Sequence, residues 1–192
     1  NDINNDINND INNETNLNKW NNWYKNLNKN VPEPYGNTIT YEKGGDFLKD
    51  CKIIEDWGCG MGWFKQFVKS KYIGLDGSKT PHSDKKVDLT KYTSSVDGIF
   101  MRHILEHNFE WEKILRNACK SFTKKFVLIL FTPFSNKTDV IKMNHKPTVP
   151  DLSFRKGDII DILDEYNLKY TMETINNSDT EYNIEYIFYI NK

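Results

Sequence analysis

The segment Ile53–Gly62 reads IIEDWGCGMG, a short apolar run that ends at Asp56-Trp57 and gives way to glycine at every second position, Gly58, Gly60 and Gly62. Few local structures accommodate it. An apolar run bounded by glycine is a buried strand. Glycines in that cadence let the backbone turn tightly and approach a ligand closely. The following Trp63–Ser70 is expected to be helical, with backbone N–H groups at its start facing an anionic group. Strand, glycine turn and helix together are the opening unit of an α/β sheet, in which ligands lie beyond the carboxyl ends of the strands.

The rest of the chain continues the alternation. Tyr72–Asp76, Lys86–Asp88 and Val96–Met101 read as strands, and a helix is expected from about His103 to Ser121 with Ile104, Leu105, Trp111, Ile114, Leu115 and Ala118 inward. Lys125–Thr132, KFVLILFT, is a continuous apolar strand buried on both faces. Ser153 is placed to cap a helix running to about Tyr166. Leu168–Ile175 and Glu181–Ile190 flank Asn176–Asp179, a hairpin turn. The alternation implies a parallel sheet with helices on both faces, and the closing hairpin adds an antiparallel strand. That is a Rossmann-like sheet of seven strands rather than the six parallel strands of a dinucleotide fold.

Upstream, Leu17, Trp20, Trp23, Tyr24 and Leu27 are spaced by three and four, one apolar helical face that Val31-Pro-Glu-Pro34 stops. Thr40–Lys49 is expected to form a second short helix with Phe47 and Leu48 inward. Asn1–Asn13 repeats NDIN and has too little apolar surface to offset its ordering entropy, so a disordered tail or linker is expected rather than a recognition segment. The expected organisation is a tail over 1–15, a helical cap over 16–50 and a ligand-binding domain over 51–192.

Composition narrows the partners. A chain of 192 residues fits one domain. Its formal net charge of −1 lacks the basic surplus of a nucleic-acid binder. No apolar run reaches membrane-spanning length, and the polar, acidic start is unlike a signal peptide. Cys51, Cys59 and Cys119 are odd in number and widely spaced, which argues against a disulfide framework or a zinc site and for a reducing, cytoplasmic setting. A start at Asn1 rather than Met suggests processing or excision from a longer protein, with room for additional domains.

Acidic residues at the strand ends sharpen the ligand. Asp56 suits an ammonium group, Asp76 at the end of the second strand suits two ribose hydroxyls, and Asp88 after the third suits an adenine amino group. Cys59 and Trp63 in and after the turn, Gly77 and Leu89 beside the aspartates, and Arg102 complete the expected cofactor-facing set. A nucleotide oxidoreductase wants a wider spacing before its last glycine. A turn that merely packs a helix on a sheet would not explain the three aspartates.

The segments EDWGCGMGWF, YIGLDGS, VDL and GIFMRHILEHN resemble the class I S-adenosylmethionine-dependent methyltransferases, from about Trp20 to the end of the chain. More narrowly, Met101–Asn108, Phe131–Phe134 and Val149–Phe154 resemble bacterial and viral methyltransferases found with polysaccharide-biosynthesis genes. The resemblance implies S-adenosyl-L-methionine as cofactor and a sugar or glycan acceptor, nucleotide-linked or polymeric. Another small-molecule or protein acceptor, or a non-catalytic module of a larger protein, stays open.

Strands 53–57 and 96–101 flank the expected switch point, so Arg102, His103 and, one turn on, Glu106 and His107 should face the transferable methyl. Transfer to oxygen is a displacement on an already activated sulfonium, which leaves the enzyme to position the acceptor and remove its proton. His103 is the candidate base; its plainer role is a helix-start histidine bonded to backbone. Glu106 and His107 serve equally well to fix the helix to the sheet. His103-Ile-Leu-Glu-His107 also matches a zinc-peptidase pattern, but the third ligand has no room here, and no metal is expected. The long loop Thr132–Ser153 is a candidate lid carrying His145 and Asp151 as reserve catalytic residues. Trp63, Phe134 and Tyr35 are candidate sugar-facing rings, and Tyr35 and Tyr41 are placed to close over the cofactor.

Overall fold

The computed structural model describes residues 34–78 and 80–192, together with Lys19. The NDIN repeat and the apolar residues Leu17, Trp20, Trp23, Tyr24 and Leu27 lie outside the described residues. The elements in chain order are α1 (Ile39–Phe47), β1 (Ile53–Trp57), a 3-10 turn (Trp63–Phe67), β2 (Lys71–Asp76), β3 (Lys85–Lys86), β4 (Val96–Arg102) and a second 3-10 turn (Leu105–His107). Then follow α2 (Trp111–Ser121), β5 (Phe122–Leu130), β6 (Asp139–Met143), β7 (Pro150–Ser153), α3 (Lys156–Glu165), β8 (Lys169–Asn176) and β9 (Ile184–Asn191).

Seven strands form one sheet in the order β3-β2-β1-β4-β5-β9-β8. The pairs from β3 to β5 are parallel, whereas β9 runs antiparallel to both β5 and β8. Chain order reverses between β1 and β4, where Trp57 lies beside Met101, so the switch point is where the sequence places it.

Strand alternation sorts the core into two layers. Phe126, Leu128 and Leu130 of β5 join Ile99, Met101, Trp57 and Phe188 on one face, under α2 and α3. Val127 and Ile129 of the same strand join Ile54, Phe100 and Ile187 on the other, under α1 and the first 3-10 turn. On α2 the buried residues Trp111, Ile114, Leu115, Ala118 and Cys119 recur at helical spacing and make one stripe toward the sheet. On the opposite face Phe64 stacks on Phe100 at 3.6 Å and Tyr41 stacks on both.

Five expected elements differ. The helix over Trp63–Ser70 is a single 3-10 turn, because its aromatic side chains pack inward and Val68 already has extended backbone leading into β2. The long helix from His103 is interrupted: His103 has φ +58, a 3-10 turn follows, and Asn108 Nδ2 donates to the Ile104 carbonyl before α2 starts at Trp111. Ser153 caps no helix; it lies in β7, its hydroxyl donates to the Pro133 carbonyl, and α3 begins three residues later. The supposed loop Thr132–Ser153 contains the antiparallel hairpin β6–β7, whose second strand is buried throughout. The third strand is also shorter than expected, ending at Lys86, two residues before Asp88.

Phe100 joins α1, the first 3-10 turn and the central strand. Phe100→Ala is expected to destabilise the protein by about 3–5 kcal/mol, read as a lower urea midpoint. An unchanged midpoint would mean that this layer does not depend on the ring.

Candidate active site

The glycine turn is built by backbone strain that glycine tolerates. Gly58, Gly60 and Gly62 have φ of +77, +54 and +74, in the left-handed region. A Cβ on Gly58 would collide with the side chain of Ile104, meeting Cγ1 at 2.7 Å and Cδ1 closer still. The turn is pinned to the end of β2. The amides of Gly58 and Cys59 both donate to the Leu75 carbonyl, at 2.8 and 2.9 Å, and that of Gly62 to the Cys59 carbonyl at 2.8 Å. The Gly60 amide donates to Asp76 Oδ2 at 2.9 Å. These amides are therefore engaged inside the protein rather than presented at a helix start, as the sequence had suggested. The amide of Met61 makes no hydrogen bond among the described residues.

Two carboxylates flank the turn. Asp76 is buried; its Oδ1 accepts from the Ser78 amide at 2.9 Å, and burial raises its pKa against the pull of backbone N–H groups from Ser78, Gly60 and Gly77. Asp56 is equally buried, at the end of β1, and accepts from the Tyr72 hydroxyl at 2.6 Å. Burial pushes its pKa up to about 7, although the Tyr72 hydrogen bond and the Arg102 charge act the other way. The Ser78 hydroxyl, beside Asp76, is buried with no partner among the described residues. Asp88 is half-buried, binding the amide and hydroxyl of Thr90 at 3.0 and 2.7 Å. Of the other expected cofactor residues, Leu89 is buried in the core, Trp63 and Gly77 are half-buried, and burial raises the Cys59 thiol, which stays protonated.

Arg102 ends β4 and reaches the amino-terminal segment. Its guanidinium donates to Thr40 Oγ1 at 3.1 Å, the Tyr41 hydroxyl at 3.0 Å and the Tyr35 carbonyl at 2.7 Å. It also lies 4.2 Å over the Tyr41 ring and 3.5 Å from Glu185 Oε2.

The next residue, His103, is buried, and its Nε2 lies 2.7 Å from Glu185 Oε2. Phe131 and Tyr35 flank the ring at centroid distances of 4.7 and 5.8 Å. Burial holds the imidazole well below its usual pKa, helped by the charges of Arg102 and His107. Of these two flanking residues, Tyr35 is 47% exposed and Phe131 is buried.

The β6–β7 hairpin brings a second cluster alongside. His107 Nδ1 lies 3.0 Å from the Pro150 carbonyl and 3.4 Å from Asp151 Oδ1. Asn144 and the Tyr182 hydroxyl donate to the two oxygens of Asp151 at 2.7 and 2.8 Å. Burial opposes ionisation of Asp151, but these donors outweigh it and lower its pKa. Glu106 Oε2 accepts from the Phe131 amide at 2.7 Å, while burial pushes its pKa up to about 7. His145 is exposed at the hairpin tip. Phe134 stacks on Tyr186 at 3.9 Å and packs against the core.

Sequence reasoning missed Glu185, Thr40, Tyr72 and Tyr182. Glu185 alone left a signal, a single charge inside the apolar run Ile184-Glu-Tyr-Ile-Phe-Tyr-Ile190.

No protein-family model matches the chain, and no curated protein matches it in sequence. Solved structures do resemble it in fold. A 1,6-didemethyltoxoflavin-N1-methyltransferase of Burkholderia thailandensis, with bound S-adenosylhomocysteine, aligns over 81% of this chain and 78% of its own at TM-score 0.62 and 10% identity. A magnesium protoporphyrin IX methyltransferase of Synechocystis aligns over 95% and 96% at TM-score 0.59 and 14% identity. A S-adenosylmethionine-dependent methyltransferase of Archaeoglobus fulgidus aligns over 81% and 92% at TM-score 0.60 and 14% identity. The chain thus has the class I methyltransferase fold, seven-stranded with the antiparallel β9–β8 hairpin at its end.

Gly58→Ala combines a left-handed φ with the collision at Ile104. It is expected to cost about 1–3 kcal/mol in a urea titration. A midpoint equal to wild type would show that Ile104 and the turn yield freely.

Proposed function

We infer that the protein is an S-adenosylmethionine-dependent methyltransferase that O-methylates a sugar or glycan acceptor. One observation carries the cofactor assignment. Two buried carboxylates, Asp56 and Asp76, end neighbouring strands on either side of a left-handed glycine turn, at the switch point of a methyltransferase-type sheet. The residues present fit such a cofactor. Asp56 has one oxygen held by Tyr72 and is suited to an ammonium group. Asp76 keeps a second lone pair on each oxygen for ribose hydroxyls, and the unpartnered Ser78 hydroxyl lies beside it. Asp88, Leu89, Gly77, Cys59 and Trp63 form the remaining wall, and Arg102 acts through the segment it anchors.

S-adenosylmethionine supplies a methyl group already activated on its sulfonium. The chain has to hold the acceptor hydroxyl in line and take its proton. His103 is the base: it follows the switch-point strand, is kept neutral, and has an aromatic rim in Tyr35 and Phe131. Asp151, with donors on both oxygens, steadies His107 and Tyr182 under the hairpin. His145, at the hairpin tip, is the reserve. The sugar assignment rests on the motifs Met101–Asn108, Phe131–Phe134 and Val149–Phe154, together with the neutral, aromatic rim.

A mass-spectrometric screen of nucleotide sugars and glycans with labelled S-adenosylmethionine tests the acceptor. Transfer only to non-sugar acceptors would replace that part of the reading. With an acceptor in hand, His103→Ala is expected to lose about 10²–10⁴-fold in single-turnover rate at unchanged cofactor affinity. In wild type the rate should fall only well below pH 6.5, because burial delays protonation of the ring.

Cofactor affinity has its own signature. Asp76→Ala is expected to weaken S-adenosylhomocysteine binding by about 2–4 kcal/mol in calorimetry. An ammonium group binds only the ionised form of Asp56, whose pKa is held at about 7. Affinity should therefore rise about tenfold from pH 6 to pH 8, and Asp56→Asn should flatten that rise. A pH-independent wild-type affinity would remove Asp56 from the ligand.

A further inference from the structure

Glu185 is a carboxylate in a strand whose other residues from Ile184 to Ile190 are apolar or aromatic, and it is completely buried. It stands second in β9. That strand is antiparallel to β5, with Tyr186 beside Leu130, so Glu185 lies at the end of the sheet where β4 and β5 finish. Its Oε2 gathers three neighbours: His103 Nε2 at 2.7 Å, the Thr40 hydroxyl at 3.1 Å and Arg102 Nε at 3.5 Å. Its Oε1 has no hydrogen-bond partner among the described residues.

The state of this cluster follows from charge balance. Arg102 stays protonated under all ordinary conditions, and its buried guanidinium needs a nearby negative charge. Glu185 is the carboxylate within ion-pair distance of it among the described residues. Burial opposes ionisation of Glu185, while Arg102 and the Thr40 hydroxyl favour it. With Arg102 and Glu185 both charged, the pair is neutral and His103 has no need of a charge. His103 faces Glu185 through Nε2, Arg102 and His107 act on it as positive neighbours, and all but its edge is buried.

An ionised carboxylate only accepts hydrogen bonds, so the short contact requires the proton to sit on Nε2. A neutral imidazole has one N–H, which leaves the lone pair on Nδ1. Nδ1 makes no hydrogen bond among the described residues. Phe131 and Tyr35 flank the ring, and the left-handed backbone of His103 fixes where it starts. We propose that Glu185 is a positioning residue that fixes His103 as its Nε2–H tautomer and so makes Nδ1 the proton-accepting atom. This rests on His103 being the base, but the tautomer itself is measurable without any acceptor.

The test is nuclear magnetic resonance of protein carrying isotope-labelled histidine imidazoles, with the His103 signals assigned by their loss in His103→Asn. Wild type is expected to show His103 as the Nε2–H tautomer throughout pH 6.5–8. In Glu185→Leu no acceptor faces Nε2, so the ring is no longer held in one tautomer and the Nδ1–H form should appear beside Nε2–H. A wild-type Nδ1–H tautomer, or a Nε2–H tautomer as complete in Glu185→Leu as in wild type, overturns the proposal; if Glu185→Leu does not fold, the wild-type spectrum still decides. Failure of the methyltransferase reading would appear separately, as wild-type protein that does not bind S-adenosylhomocysteine in calorimetry.

Discussion

A guanidinium buried at the end of the central strand organises this molecule. Arg102 cannot shed its charge, and leaving it unpaired in the interior would be costly. Every atom that satisfies it is thereby fixed: the Thr40 and Tyr41 side chains in the first turn of α1, the Tyr35 carbonyl just before it, and Glu185 on β9. The segment leading into α1 is held over the sheet end by this one side chain and by the turn before β9. There the Asn37 amide donates to the Ser178 carbonyl and the Glu181 amide to the Tyr35 hydroxyl. His103 follows Arg102 directly, so its place is set by the same anchor.

The site concentrates acid where water is excluded. Asp56, Asp76, Glu106 and Glu185 are all buried near the ends of β1, β2, β4 and β9, and burial raises the pKa of each. A carboxyl with a raised folded-state pKa binds its proton more tightly in the native protein than in the unfolded chain. Their contribution to stability is therefore greatest below the unfolded values, 3.8 for Asp and 4.5 for Glu, and is lost as pH rises toward about 7, where Asp56 and Glu106 ionise. A ligand that brings a positive charge to Asp56 reverses part of that loss.

The sheet was legible because its signals are local. Alternation fixed which residues of β5 face which layer, and the glycine cadence marked the switch strand without reference to anything distant. The 3-10 turns were not, since Trp63-Phe-Lys-Gln-Phe67 has a helix-like apolar pattern and only the stacking of Phe64 on Phe100 decides otherwise. The break at His103 escaped for a similar reason. Its setting is tertiary: Glu106 bonds the amide of Phe131, twenty-five residues on. At the site, Asp56 and Asp76 stand in a pattern that names them, whereas Glu185 matters only because folding sets it beside His103, eighty-two residues earlier. The hairpin β6–β7 was hidden by its composition, as the exposed strand Asp139–Met143 has no clean alternation and its cover by β7 comes from the other side of a turn.

The bonds between residues 35–41 and residues 177–185 join positions more than 130 apart in sequence, Asn37 to Asn177 being separated by 140. A contact of that separation closes most of the chain into a loop, and it forms late because the entropy of closure precedes any reward. During synthesis the glycine turn and the parallel strands can assemble while the last hairpin is still inside the ribosome. The carboxylate beside His103 then arrives with the last strand of the sheet. A nascent polypeptide that has not yet reached β9 would hold the glycine turn with no carboxylate beside His103.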